Sequence, residues 1–312
     1  MGSKTIWVYR NIKDDLVIGL RSVPKELLVI LAPTYTGLMD RFSCPLNAAA
    51  RDAQHQITSS VSDPQYGRQV ILARESFLAS SESIMFKPLQ EQGENGPDLE
   101  ALAVGNECGA FGAELERPMH EVKSWKFAGV HHDLGKALVP KEICSGGKFT
   151  DPRQYEEMKL HTLYGAAIVN LAIQSAEQVG GLLLVHPLLH FLRAAALLHH
   201  QRKNGMGYLD IELEDGRRRP LEADQIPSFV YALALSDSYT ALRFPRTYKP
   251  SLPHEQALEM LRSGDRNAPD FFPTRSQPGP SLYGQEVWGI FEKKQGLFKD
   301  IADKALSGAQ QN

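Results

Sequence analysis

Six side chains able to hold a cation stand in four apolar, helix-like stretches of the chain. "FAGVHHDLGK" supplies His132 and Asp133, "EEMKLHTLYG" supplies His161, "AALLHH" supplies His199 and His200, and "ALALSDSYTAL" supplies Asp237. Neutral imidazoles and carboxylates without thiolates suit Fe, Mn or Zn in a reactive site better than a structural Cys-type zinc. A carboxylate has two oxygens and can bridge two ions, so Asp133 beside His132 is a natural centre for a dinuclear cluster. Such a cluster lowers the pKa of a shared water and clamps a phosphoryl group under in-line attack. Taken singly, each of these residues reads as a helix cap or a surface group. As a set in apolar helices they would leave several costly unpaired polar groups, and one ligand shell satisfies them all.

The elements that must carry these residues are helical. From Trp125 onward, apolar residues recur at i, i+3 and i+4 with Gly or Pro between segments. The spacing predicts helices near 121–134, 154–175, 184–200, 227–242, 253–263 and 285–306, and another from about 64. Residues 1–50 mix short β-like runs, "TIWVY" and "LLVILA", with Pro and Gly breaks, and read as a separate N-terminal module. The stretch 80–120, with "EQGENGPDLE" and "GNECGAFGAELERP", is rich in Gly, Glu and Pro and reads as an acidic loop or insertion in a helical domain spanning 51–312. The fold class is mostly α, with a small mixed N-terminal segment.

Composition narrows the function classes. A net charge of −3 over 312 residues gives no global basic field, so a nucleic-acid polymer is not the expected partner. The longest apolar runs fall short of the roughly 20 residues that span a bilayer. Cys44, Cys108 and Cys144 form neither a CxxC pair nor an even framework, which suits a reducing cytoplasm. The start "MGSKTIW" has no signal-peptide core, and Ile6 stands where a myristoylation signal wants Ser or Thr. The expected location is therefore the cytoplasm.

"HHDLGK" resembles the signature of the HD superfamily of metal-dependent phosphohydrolases, and "HHQRKNGMGYL" resembles the second signature, HHExxxGxGYP, of its HD-GYP subfamily. "YEEMKLHTLYGAAIV" is similar to the subfamily's MKxHxxxG segment, and "IPSFVYALALSDSYTALRFPRTYKPSLPHEQALEML" to its stretch from IP through the Asp ligand to RxYK. The resemblance covers roughly residues 124–295. It implies an HD-domain helical bundle in which His132, Asp133, His161, His199, His200 and Asp237 ligate two divalent ions, Fe or Mn. It places Lys136 beside the reacting phosphate and Arg246 and Lys249 on the phosphates of the ligand. Arg offers those phosphates a planar fork and Lys a compact charge. Gly205 and Gly207 would let the backbone approach a nucleotide, and Tyr208 would supply a pocket wall. The implied activity is a metal-dependent phosphodiesterase of bacterial signalling that hydrolyses a cyclic dinucleotide, cyclic di-GMP by resemblance. The alternative is a catalytically degenerate domain that binds the nucleotide as a sensor or adaptor.

Four departures accompany the resemblance. Tyr66 stands where the family's early helix carries a His ligand, with His55 and His120 as substitutes nearby in sequence. Gln201 replaces the Glu after the paired histidines, and Leu209 replaces the proline of GYP. Thr240 stands one turn after Asp237, where the family commonly has Asp. Insertions lengthen two gaps; one contains "HPLLH", read as a packing pair, His186 and His190, and the other contains "GRRRP", read as a solvated turn.

Overall fold

The computed structural model describes residues 6–10, 16–20, 39–59, 65–91, 99–145, 152–180, 185–205, 207–212, 218–221, 223, 226–245, 250–263 and 279–309. The mostly helical class is borne out. An antiparallel hairpin opens the chain, β1 (Ile6–Arg10) and β2 (Leu16–Leu20), with Val8 opposite Ile18. The run "LLVILA" lies outside the described residues. A π-helical turn (Met39–Ser43) leads into α1 (Cys44–Ser59), which starts before the boundary expected near residue 50. Its residues Leu46, Ala50, Ala53 and Ile57 are all buried, an i, i+4, i+7 stripe that the Gly- and Pro-rich residues before it obscure.

Next come α2 (Tyr66–Glu91), α3 (Leu99–Glu114) and α4 (Met119–His131). The acidic loop expected at 80–120 is therefore mostly helix, and only residues 92–98 of it fall outside the described set. The glycines of α3 are not breakers. A Cβ on Gly105 would clash with Val130 Cγ2, one on Gly109 would meet Lys126, and one on Gly112 would meet Trp125 and Val122. The three form a smooth stripe that lets α3 and α4 cross closely, so tertiary packing overrides the poor helix propensity of glycine.

A 3-10 turn (Leu134–Leu138), short α5 (Lys141–Ser145), α6 (Pro152–Gly180) and α7 (Pro187–Leu198) follow. Helix α7 begins where His186 accepts a hydrogen bond from the Leu188 amide and Pro187 fills the first turn. His186 also pairs with Glu75 at 3.1 Å, so "HPLLH" includes a cap. A second antiparallel hairpin, β3 (Asp210–Glu212) and β4 (Arg218–Pro220), makes strand of residues 218–220 in the "GRRRP" stretch that reads as a solvated turn. The chain ends in α8 (Ser228–Arg243), α9 (His254–Ser263), α10 (Gly279–Tyr283), α11 (Gln285–Lys293) and α12 (Gln295–Ala309).

Two apolar clusters fill the interior. One joins α3, α4, α8, α9, α11 and α12 around Phe111, Trp125, Tyr239 and Phe298. The other joins α1, α2, α6 and α7 around Phe42, Phe77, Ile168 and Leu192. Helices α6 and α7 contribute to both clusters, and the polar residues of interest project from the ends and middles of these shared elements.

Candidate metal centre

His132 caps the C-terminus of α4, and Asp133 opens the 3-10 turn. That turn lies directly on α6. A Cβ on Gly135 would clash with the His161 carbonyl oxygen and meet the Gly165 nitrogen at 2.5 Å, so the glycine of "HDLGK" is there to let two backbones touch. The contact brings Asp133 onto His161. His199 closes α7, His200 follows it, and Asp237 projects from the middle of α8.

The imidazole and carboxylate groups then meet. His161 Nε2 lies 3.2 Å from Asp133 Oδ1, and His199 Nε2 lies 3.5 Å from the same oxygen. His132 Nε2 is 3.3 Å from Asp133 Oδ2 and 3.7 Å from Asp237 Oδ1. Two triads result, His161–His199–His200 and His132–Asp133–His199, each with its ligand atoms within 4.8 Å of one another. His132, His161 and His199 are all buried, His199 completely.

The other ring nitrogens decide which atoms face inward as ligands. Nδ1 of His132, His161 and His199 lies 2.8, 2.6 and 2.8 Å from the carbonyls of Gly129, Met158 and Ala195 on the same helices. A carbonyl only accepts, so each Nδ1 donates and each Nε2 faces inward, where it can offer a lone pair once it carries no proton. His161 Nε2 and His199 Nε2 are 3.1 Å apart in a buried space, within hydrogen-bonding distance of each other. His132 Nε2 and Asp133 Oδ1 are buried and have no hydrogen-bond partner. Orphaned ligand atoms with pinned outer nitrogens are the pattern of imidazoles prepared for a cation, and the donor set fits Fe, Mn or Zn.

The charges agree with this geometry. Burial works against a charge on His132, but Asp133 and Asp237 outweigh it and hold its pKa up at about 10. Burial likewise opposes the charge on Asp133, yet Lys136 and His132 keep it well below the usual carboxylate range. Asp237 is also lowered, against its burial, by His132. The site thus attracts a proton onto His132 as it would attract a metal. His199 is pushed down to about 4 by burial, and burial lowers His200 as well, so both imidazoles are neutral at physiological pH. Lys136 Nζ lies 2.5 Å from Asp133 Oδ2 at the exposed edge of the cluster.

The loop after α7 forms a wall beside the imidazoles. Gly205 takes a φ of 80° and Gly207 one of 153°. Tyr208 stacks on His200 at 4.2 Å and meets Tyr155 edge-on at 5.8 Å. Arg246 and Lys249 lie outside the described residues. Tyr66 is half-buried and packs against the apolar cluster of α1, α2, α6 and α7, while His55 and His120 are exposed.

One functional candidate escapes a reading of the sequence. Glu107 on α3 is completely buried, and Thr240 donates to its Oε2 at 3.2 Å. Burial pushes its carboxyl well above the usual range, against the Thr240 hydrogen bond. A carboxyl group thus stands against Thr240, the position where the resemblance leads one to expect an acid on α8. It comes from a helix hidden in the Gly-rich stretch, and a lone Glu amid "AVGNECGAFG" is the one hint of it in the sequence.

Known proteins point in the same direction. No family model matches the chain. A probable cyclic di-GMP phosphodiesterase of Vibrio cholerae is 32% identical over 134 residues, which is 43% of this chain and 27% of that protein. The chain is similar to proteins named as cyclic di-GMP phosphodiesterases. Another, from Thermotoga maritima, is 29% identical over 160 residues, 51% of this chain and 38% of its own length. A 3′3′-cGAMP-specific phosphodiesterase of Vibrio cholerae is 28% identical over 136 residues, 44% of this chain and 22% of that protein. The chain spans less than two fifths of the length of each of these relatives. Among the described residues, no helix is long and apolar enough to cross a membrane.

Proposed function

We propose that the chain is a metal-dependent phosphodiesterase of the HD-GYP type that hydrolyses cyclic di-GMP. The observation that carries this reading is the buried convergence of three Nε2 atoms on Asp133, each imidazole fixed through Nδ1 to its own helix. His132, Asp133, His161, His199, His200 and Asp237 would hold two divalent ions, Fe or Mn. Such ions supply an acidified water and offset the charge of a phosphoryl group.

The chain's own residues do the rest. Asp133 offers one oxygen to each side of the site, so it holds the two triads in one frame. Lys136 stands at the exposed edge, beside Asp133, where an incoming phosphate would meet its ammonium group. Arg246 and Lys249, by resemblance, take the remaining phosphate charge. The Tyr208 ring presents a face on which a base can lie. Of the expected N-terminal module, Phe42, Leu46 and Ala50 pack into the core of the helical domain, and the place of action we propose is the cytoplasm.

The test is hydrolysis of cyclic di-GMP and 3′3′-cGAMP by protein reconstituted with Fe or Mn under anaerobic conditions. Linear product from either nucleotide supports the reading and ranks the substrates. Intact nucleotide with every metal contradicts it. Tyr66 favours a second reading, a sensor that binds without turnover, because the ring at the early-ligand position packs into the apolar core. Calorimetry on the same preparation separates the two, since tight binding without product supports the sensor.

A further inference from the structure

Two of the motif departures touch each other. Gln201 and Leu209 stand at the two ends of the loop that carries Gly205, Gly207 and Tyr208. The Leu209 amide donates to Gln201 Oε1 at 3.0 Å, and Gln201 Nε2 donates to the Leu209 carbonyl at 2.9 Å. Gln201 is 1% exposed. Its side-chain amide behaves as a peptide group and pairs with residue 209 as one strand pairs with another.

This clasp needs a particular chemistry at both ends. Residue 201 must carry a donor and an acceptor on one planar group, and residue 209 must carry an N–H. An ionised Glu has acceptors alone and would face the Leu209 carbonyl oxygen with another oxygen. A proline at 209 has no N–H to give. Each residue of the resembled motif is therefore incompatible with half of the clasp, and the two departures make sense together. Gly207 completes the fit, because a Cβ there would clash with Gln201 Oε1. With its ends closed against the terminus of α7, the loop delivers Tyr208 onto His200 at 4.2 Å, the rings inclined by 30°.

We infer that Gln201 is a positioning residue: through Leu209 it holds this loop against the imidazole cluster, and so fixes the aromatic wall that a cyclic dinucleotide meets. The substrate half of this inference rests on the reading under Proposed function. The test compares wild type, Gln201→Met, Leu209→Pro and the double variant, all loaded with Mn. Hydrogen exchange of the loop amides in ligand-free protein reads the clasp. Steady-state kinetics with cyclic di-GMP read its consequence.

In Gln201→Met, which removes both bonds without a buried charge, the Leu209 amide should lose about tenfold or more of its protection and KM should rise about tenfold, with kcat and Mn affinity within about threefold of wild type. Adding Leu209→Pro to Gln201→Met should cost little more, because the partner is already lost. Unchanged exchange and KM in Gln201→Met, or independent effects of the two substitutions, would overturn the clasp. Should Gln201→Met fail to fold, Gln201→Leu removes the same two bonds and is held to the same result. If wild-type protein takes up no cyclic dinucleotide, the parent reading fails and the substrate half goes with it, while the Leu209 exchange rate still decides the clasp.

Discussion

At the scale of single residues, the cluster is a competition between a proton and a cation for His132 Nε2. Asp133 and Asp237 hold that proton up to a pKa of about 10, so an incoming ion must displace it throughout the neutral range. Divalent-metal affinity is therefore expected to rise between pH 6 and 9 by about tenfold per pH unit, with about one proton released per ion bound at this position. Calorimetry in two buffers of different ionisation enthalpy checks both. Without metal the linkage has the opposite sign. The raised pKa contributes stability that is fully present below the ordinary histidine value of 6.5 and is lost as pH rises through about 10. Replacing His161 by Gln removes an inward lone pair and should weaken Mn binding by about ten- to a hundredfold, read by titration, with the metal-free fold little changed. Metal-free unfolding curves that match wild type, beside unaltered Mn binding, would count against His161 as a ligand.

At the scale of elements, the site depends on how closely α3, α4 and α8 cross. Gly105 faces Val130 with no room for a methyl group, so Gly105→Ala should destabilise the fold by about 1–3 kcal/mol in urea denaturation. Glu107 belongs to the same crossing. Ser236 and Thr240 lie one turn apart on the α8 face turned to α3, and Asp237 lies on the neighbouring face turned to His132, so the Glu107–Thr240 bond bears on the rotation of α8. Folding makes it harder to ionise Glu107. Its contribution is complete below the usual glutamate value of 4.5 and is lost as pH rises through the raised folded value. Glu107→Gln should then stabilise the protein at pH 7.5 by about 1–3 kcal/mol, with the gain vanishing below about pH 4.5. Equal denaturation midpoints for the two proteins at pH 7.5 would show that the buried carboxyl carries no such cost.

This crossing also shows what a linear chain reveals. Proposed ligands such as His161 and His199 stand out because a polar side chain in an apolar periodic stretch needs a partner to offset its burial. Most helix positions follow from the same periodicity. Helix α3 does not, since three glycines imitate a loop until the surface of α4 is known. The Gln201–Leu209 pairing is hidden for a similar reason, because each change reads as a loss until the two ends are seen to bond.

At the scale of the whole molecule, the six proposed ligands tie α4, the 3-10 turn, α6, α7 and α8 into one unit between two apolar clusters. A cation there would bind the folded chain and have no equivalent site in the unfolded one. Mn at a hundred times its dissociation constant should raise the unfolding free energy by about 2.7 kcal/mol, with EDTA reversing the shift in melting temperature. The proposed chemistry depends most on the ions themselves. An anomalous-difference map from crystals of Fe- or Mn-loaded protein, measured at the metal edge, tests it most directly. The prediction is density between Asp133 and the Nε2 atoms of His132, His161 and His199, at roughly 2.0–2.3 Å from its ligands. Full metal loading with no peak there, or a peak elsewhere on the chain, would contradict it.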